Sequence, residues 1–334
     1  ILFTPINTPT KGSDTAYYVL THKESHIPMA LSNEFIITLL SIKGVGPAKI
    51  NKIHNASEGN NIFSLEDLHA LTLDTIGSKT PPTYNDMVLA NLEAKQIITK
   101  SKEFGIGIVS KFDSEFPKKL FTTVNENGNS AVPLILYYKG NLSITSKPAL
   151  AIIGTRDPTP EGVHAAKHFA GAFASIGVNI VSGLALGCDS AGHRGALDAG
   201  GATTAFLANG LDSIYPKENE KLAEEIVNKG GLLLSEYPIG TGTTKYNLVA
   251  RDRLQAGLAN ATLVIQTGIK GGTMHAVKAT LLSKKPLLVI DYAKDLGDKI
   301  SGNIYLKQKE NGGAIGLSYI SKDSFIANKQ RYLG

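Results

Sequence analysis

The segment GLALGCDSAGHRGAL, Gly183 to Leu197, brings together a thiol, a carboxylate and an imidazole: Cys188, Asp189 and His193. Those residue types carry nucleophilic and acid–base chemistry when one site holds them in mutual reach. Asp189 and His193 are four residues apart, so on a helix they lie one turn apart and are placed for contact. Cys188 directly precedes Asp189, however, and no signature sets out another nucleophile, so the trio does not read as a hydrolytic triad. A buried, inert cysteine is the expectation for Cys188. The glycines suggest a different chemistry. A small-residue turn running into a helix lets backbone approach a ligand and aims amides at it, which suits a phosphate. Gly183 and Gly187 would form that turn, with Asp189 capping the helix and, together with His193, bracing the turn.

Other stretches repeat the theme, each after an apolar run. Gly154, Thr155 and Arg156 follow the first run and lead to Thr159-Pro160-Glu161, a hydroxyl cap, a proline and an acid that together open a helix. Asn209 and Gly210 follow the third. Lys245, Tyr246, Arg251 and Arg253 follow the fourth. Lys270 and Gly271-Gly272-Thr273 follow the fifth and read as a further anion nest. Arg251 and Arg253 are two apart and cannot share a helix face, so one of them is open to a structural role. Neither G-x-G-x-x-G after the first run nor G-x-x-x-x-G-K-[ST] occurs, which argues against usual dinucleotide binding and against a P-loop nucleotidase. Glycine-rich ends and cations without an acid/base couple favour holding a string of phosphates over transforming a small molecule.

The elements that must position these residues are legible. ALAIIG, VNIVSG, TTAFLANG, GLLLSE, TLVIQT and PLLVI are short apolar runs separated mostly by helical stretches. Strands buried on both faces read this way, and the alternation predicts an α/β fold: an extended Rossmann-like, doubly wound, mostly parallel sheet. GIGIVS and PLILYYKG predict two earlier strands. Helices are expected over the Glu34–His54 segment, Leu65–Leu71 and Tyr84–Phe104. The reading divides the chain into an N-terminal helical accessory domain (1–105), the Rossmann-like domain (106–292) and a tail without clear pattern (293–334). The 334 residues carry a net charge of +5, a mild tilt toward polyanionic partners. One cysteine excludes an intramolecular disulfide framework and a cysteine-based zinc site, and fits a reducing compartment. No metal and no cofactor is expected. No apolar run reaches the roughly 18 residues of a membrane span, and no secretory signal is visible. A cytoplasmic setting is the expectation.

In order and at matching intervals, GTR, VSGLALGCDSAGHRGAL, LANGLDSIYPKEN, LLSEYP, ARDRLQAGL and KGGTMHAVKA resemble the DprA/Smf family of DNA-processing proteins over roughly Phe112–Ile290. The resemblance implies an extended Rossmann-like core that binds single-stranded DNA, forms a homodimer and hands the DNA to a RecA-type recombinase. It implies DNA-phosphate contact for Arg156, with Thr155 replacing the usual serine. It assigns the phosphate-side turns to Gly183 and Gly187, to Asn209 and Gly210, and to Gly271, Gly272 and Thr273, and the basic helix to Lys245, Arg251 and Arg253. Asp252 stands where the family has asparagine, and Leu248 replaces an aromatic, leaving Tyr246 as the stacking ring. LLSIKGVGPAKINKI resembles a helix-hairpin-helix of the kind found in SAM-like domains; such hairpins serve either as pure protein-packing units or as accessory DNA contacts, here through Lys43, Gly44, Gly46 and Lys49.

Two other readings remain open. One is a sensor or a nucleotide-cleaving enzyme for free nucleotides, with Glu236 and Asp189 as its carboxylates. The segment GGTMHAVKA lacks the glutamate that the usual cleavage motif needs. The other is a regulator in a phage-defence or toxin-control system, acting with an operon partner protein.

Overall fold

The structure is a computed structural model that describes residues 31–58, 62–77 and 79–318. Helix α1 (Asn33–Ser41) opens at Ser32, whose hydroxyl accepts from the Phe35 amide. The chain turns at Gly44, which has a left-handed φ of +82°, and α2 (Pro47–Ser57) then starts with proline at its first position. This is the Gly-Val-Gly hairpin expected from sequence. Reciprocal capping boxes, Ser64 with Asp67 and Thr83 with Asp86, start α3 (Leu65–Ile76) and α4 (Tyr84–Glu103).

Among the described residues a nine-stranded sheet follows, in the order β1-β2-β6-β5-β4-β3-β7-β8-β9. Its strands are β1 (Gly107–Ser110), β2 (Ile135–Gly140), β3 (Ala149–Ile153), β4 (Asn179–Ser182), β5 (Thr203–Phe206), β6 (Leu232–Ser235), β7 (Ala261–Val264), β8 (Leu287–Ile290) and β9 (Ile315–Leu317). From β6 to β9 all pairings are parallel, whereas β2 runs antiparallel to both β1 and β6. The crossovers carry α5 (Pro160–Ala174), α6 (Cys188–Asp198), α7 (Glu220–Asn228), α8 (Lys245–Leu258) and α9 (Thr273–Leu282).

Each central strand is apolar on both faces because both are covered. Leu150 and Ile152 of β3 pack with Phe169 and Phe173 of α5, while Ala149 and Ala151 face Leu254 and Leu258 of α8. The sheet does not stop at 292, where the sequence pattern fades. Residues 293–318 hold α10 (Ser301–Lys307) and β9, which pairs parallel with β8. The rest of the expected tail, 319–334, lies outside the described residues, as do residues 1–30. Helices α1 to α4 share one buried cluster with β2, β6 and α7: Ile36, Ile50, Leu68 and Met87 join Ile135, Tyr137 and Leu233 of the sheet and Ile226 of α7. No helix among the described residues is long and apolar enough to cross a membrane.

Candidate nucleic-acid interface

From β3 the chain steps outward through β4, β5 and β6, then returns to β7 on the other side of β3. Crossovers that diverge in this way leave a crevice at the carboxyl ends of the strands. A cavity of about 550 Å3 occupies it, walled by the loop after β3, the loop after β7 and the exposed face of α8.

The cavity gathers many of the residues named from sequence. Gly154, Thr155 and Arg156 come from the β3 loop, Lys270 and Gly271-Gly272-Thr273 from the start of α9, and Lys245 and Arg251 from α8, with Asp189 of α6 beneath. Arg156, Lys245 and Lys270 are exposed. None of the three is ion-paired to a carboxylate among the described residues. Tyr246, beside Lys245 on the first turn of α8, is 80% exposed and stands outside the wall.

Arg251 has another role. It is 4% exposed, and its Nη1 donates to the carbonyls of Gly183 and Phe206, at the ends of β4 and β5. Its Nε donates to Asp252 Oδ1 at 3.1 Å. With Nη1 and Nε engaged by the fold, Arg251 braces the cavity floor. Arg253 points elsewhere. Its Nη2 pairs with Glu236 at 2.6 Å, and both line a second cavity between α2 and residues 130–135.

The expected glycine turn is also structural. Gly183 is buried, its amide donates to Asp189 Oδ2 at 3.1 Å, and a Cβ on it would overlap the Arg251 guanidinium. Gly187 has a φ of +81°, and a Cβ there would lie 2.5 Å from the Thr155 carbonyl oxygen. The first amide of α6, that of Cys188, donates to that same oxygen at 3.1 Å. Gly183 and Gly187 therefore let two loops and a guanidinium meet, and neither lines the cavity.

Asp189 accepts from the Gly183 and Ala185 amides of this turn rather than capping α6. His193 makes no hydrogen bond with Asp189. Its Nδ1 is bonded to Thr203 Oγ1 of β5 at 2.6 Å, and its Nε2 has no partner among the described residues. Asn209 and Gly210 stitch loops together: Asn209 Nδ2 donates to the Ser213 carbonyl at 2.8 Å and the Gly210 amide to that of Thr241 at 2.9 Å. Lys43, Gly44, Gly46 and Lys49 sit on the α1–α2 hairpin, away from this cavity.

Burial sets the electrostatics of the floor. It lifts the Asp189 carboxyl to about 6 against the pull of Arg251, and raises Asp252 for the same reason. It also pushes the Cys188 thiol up to about 12 and His193 down to about 3, so neither provides a thiolate nor an imidazolium at neutral pH. The sequence reading overlooked Gln255 and His275, which line the same cavity. Gln255 lies four residues after Arg251, so helical spacing puts it on the same face. The carboxylates of the nucleotide-cleaving reading are apart, Asp189 in the first cavity and Glu236 in the second.

The family profile of DNA recombination-mediator protein A matches residues 107–312. The chain belongs to that family. Protein Smf of Synechocystis sp. is 35% identical over 245 residues, which cover 71% of this chain and 59% of that protein. DNA processing protein DprA of Bacillus subtilis is 30% identical over 208 residues, covering 62% of this chain and 67% of the relative. Protein Smf of Escherichia coli is matched over 44% of its length, so this member of the family spans about half of several of its curated relatives. The structure of DprA from Streptococcus pneumoniae superposes with a TM-score of 0.71 at 26% identity, covering 90% of this chain and 98% of that one. DNA processing protein A from Helicobacter pylori, described for its unique single-stranded DNA binding mode, gives 0.56 at 29% identity over 68% of this chain and 96% of its own.

Proposed function

We propose that the chain binds single-stranded DNA in the crevice between β3 and β7, as a non-catalytic step in DNA recombination. The observation that carries this reading is the convergence of Arg156, Lys245 and Lys270, none of them ion-paired among the described residues, on one open cavity beside the exposed ring of Tyr246. Cations held in no ion pair by the described residues can neutralise phosphates, and phosphate contacts supply affinity and orientation. Family membership and the binding mode described for the H. pylori relative support the same assignment. On this reading the protein works in the cytoplasm as a homodimer and delivers the strand to a RecA-type recombinase. Those partners follow from the family alone.

The test is fluorescence anisotropy with labelled single-stranded and duplex DNA over a range of salt. Three phosphate contacts predict a slope of log K against log salt of about −2 for a single strand. Arg156→Glu and Lys245→Glu should each weaken binding and flatten the slope. Unchanged affinity in both variants, or binding to duplex only, overturns the assignment.

A further inference from the structure

The cavity carries a conflict of charge. Arg156, Lys245 and Lys270 suit a polyanion, yet two carboxyl groups, Asp189 and Asp252, line the same walls. Ionised, they cancel part of the field that draws phosphates in, and every bound phosphate adds a like charge close to them. Arg251 pulls on both groups, but its Nη1 is already held by the strand-end carbonyls of Gly183 and Phe206.

Asp252 is the group placed to resolve this conflict. Its side chain is 15% exposed, so protons from solvent can reach it. Arg251 Nε and Gln255 Nε2 both donate to Oδ1, each at 3.1 Å, and Oδ2 accepts no hydrogen bond among the described residues. A proton on Oδ2 therefore displaces no partner, and it turns a repelling oxygen into a donor suited to phosphate. The charged groups around Asp252 come from four elements. Arg251 and Lys245 share its helix, Arg156 comes from the loop after β3, His275 and Lys270 from the start of α9, and Asp189 from α6. Burial already favours the neutral carboxyl at Asp252, and at Asp189 behind it. The other titratable side chains of α6 here, Cys188 at about 12 and His193 at about 3, keep one charge state through the neutral range.

Resting on the single-stranded DNA reading above, we propose that strand binding is coupled to proton uptake at Asp252, so that the protein grips the strand more tightly as the solution turns acidic. The coupling acts through space, and the strand need not touch the carboxyl group. A bound strand favours the protonated form, so by linkage protonation favours the strand. Affinity is then highest at low pH and falls as pH rises through the range in which the free protein gives up this proton. Asparagine, which the family resemblance places at position 252, cannot take up the proton, so the coupling belongs to this chain's own aspartate.

The test is anisotropy with labelled oligothymidine, whose bases do not titrate near neutral pH, at constant ionic strength. One linked proton gives a slope of log K against pH no steeper than about −1, so affinity should fall about three- to ten-fold from about pH 5.5 to about pH 8. Isothermal titration calorimetry in two buffers of different ionisation enthalpy should show net proton uptake on binding. Asp252→Asn should lose the dependence and bind about three- to ten-fold more tightly than wild type at about pH 8, a gain that a damaged fold would not produce. His275→Gln should keep the wild-type dependence. Where Asp252→Asn does not fold, proton uptake persisting in His275→Gln supports the coupling and its disappearance there overturns it. A dependence that survives in Asp252→Asn but vanishes in His275→Gln overturns it too. Equal affinity at every pH with an intact salt slope overturns the coupling and leaves the DNA-binding reading standing. No binding at any pH overturns both.

Discussion

Arg251→Met separates a brace from a phosphate ligand. The side chain is 4% exposed and donates to the Gly183 and Phe206 carbonyls and to Asp252. Hydrogen bonds from a charged donor contribute about 1.5–3 kcal/mol each. Breaking a buried ion pair from one side costs about 3–5 kcal/mol, because the remaining charge keeps its desolvation penalty. Here Asp252, and with it Asp189, would lose the nearest counter-charge. A loss of about 3–5 kcal/mol is therefore expected. At about 2–4 °C per kcal/mol for a domain of this size, Tm falls by about 6–20 °C. Arg156→Met, an exposed side chain with no ion pair among the described residues, should shift stability by less than about 0.5 kcal/mol while weakening DNA binding. Urea denaturation followed by circular dichroism, alongside anisotropy on each variant, reads both effects. If Arg251→Met keeps the wild-type midpoint while the salt slope flattens by about 0.7, Arg251 is a phosphate ligand and the brace argument is wrong.

Tyr246→Ala should cost about 1–3 kcal/mol of single-stranded DNA affinity, the contribution of one stacked base, with the salt slope unchanged; anisotropy at several salt concentrations checks both. The Asp189 carboxyl is raised by burial from its ordinary 3.8 to about 6, so the folded state binds an extra proton between those values. Its contribution to stability is fully present below about pH 4 and is lost as pH rises to about 6, so the wild type should lose ground to Asp189→Asn across that window when urea midpoints are compared from pH 4 to 8. Cys188 is fully buried with its thiol pushed up to about 12, so it should resist a thiol-reactive dye in the native protein and label only on unfolding, as stopped aliquots along a urea series would show.

What could be read from sequence was the scaffold. The six apolar runs from ALAIIG to PLLVI became β3 to β8, because strands covered on both faces leave no polar alternation to confuse the pattern. Arg156, Lys245 and Lys270 reached one cavity because each follows or faces a strand end at the switch point. The direction of a side chain was not legible. The Arg-x-Arg spacing left one of the pair open to a structural role without showing that Arg251 threads inward past Gly183 while Arg253 turns to Glu236. The spacing of Asp189 and His193 gave proximity, but bonding went to whatever packed against each, two loop amides for one and Thr203 for the other. The last strand escaped notice because three residues, Ile315–Leu317, fall short of any periodic window.

The cluster that joins Ile36, Ile50 and Met87 to Ile135, Tyr137 and Leu233 also bears on how the molecule can be taken apart. A cut after residue 105 would fall inside a hydrophobic core and not in a linker. Both fragments would present raw apolar faces to water and to each other. Anyone dissecting the helical region from the sheet should expect two poorly soluble pieces that recombine when mixed, and any load applied to the hairpin reaches the antiparallel edge of the sheet directly.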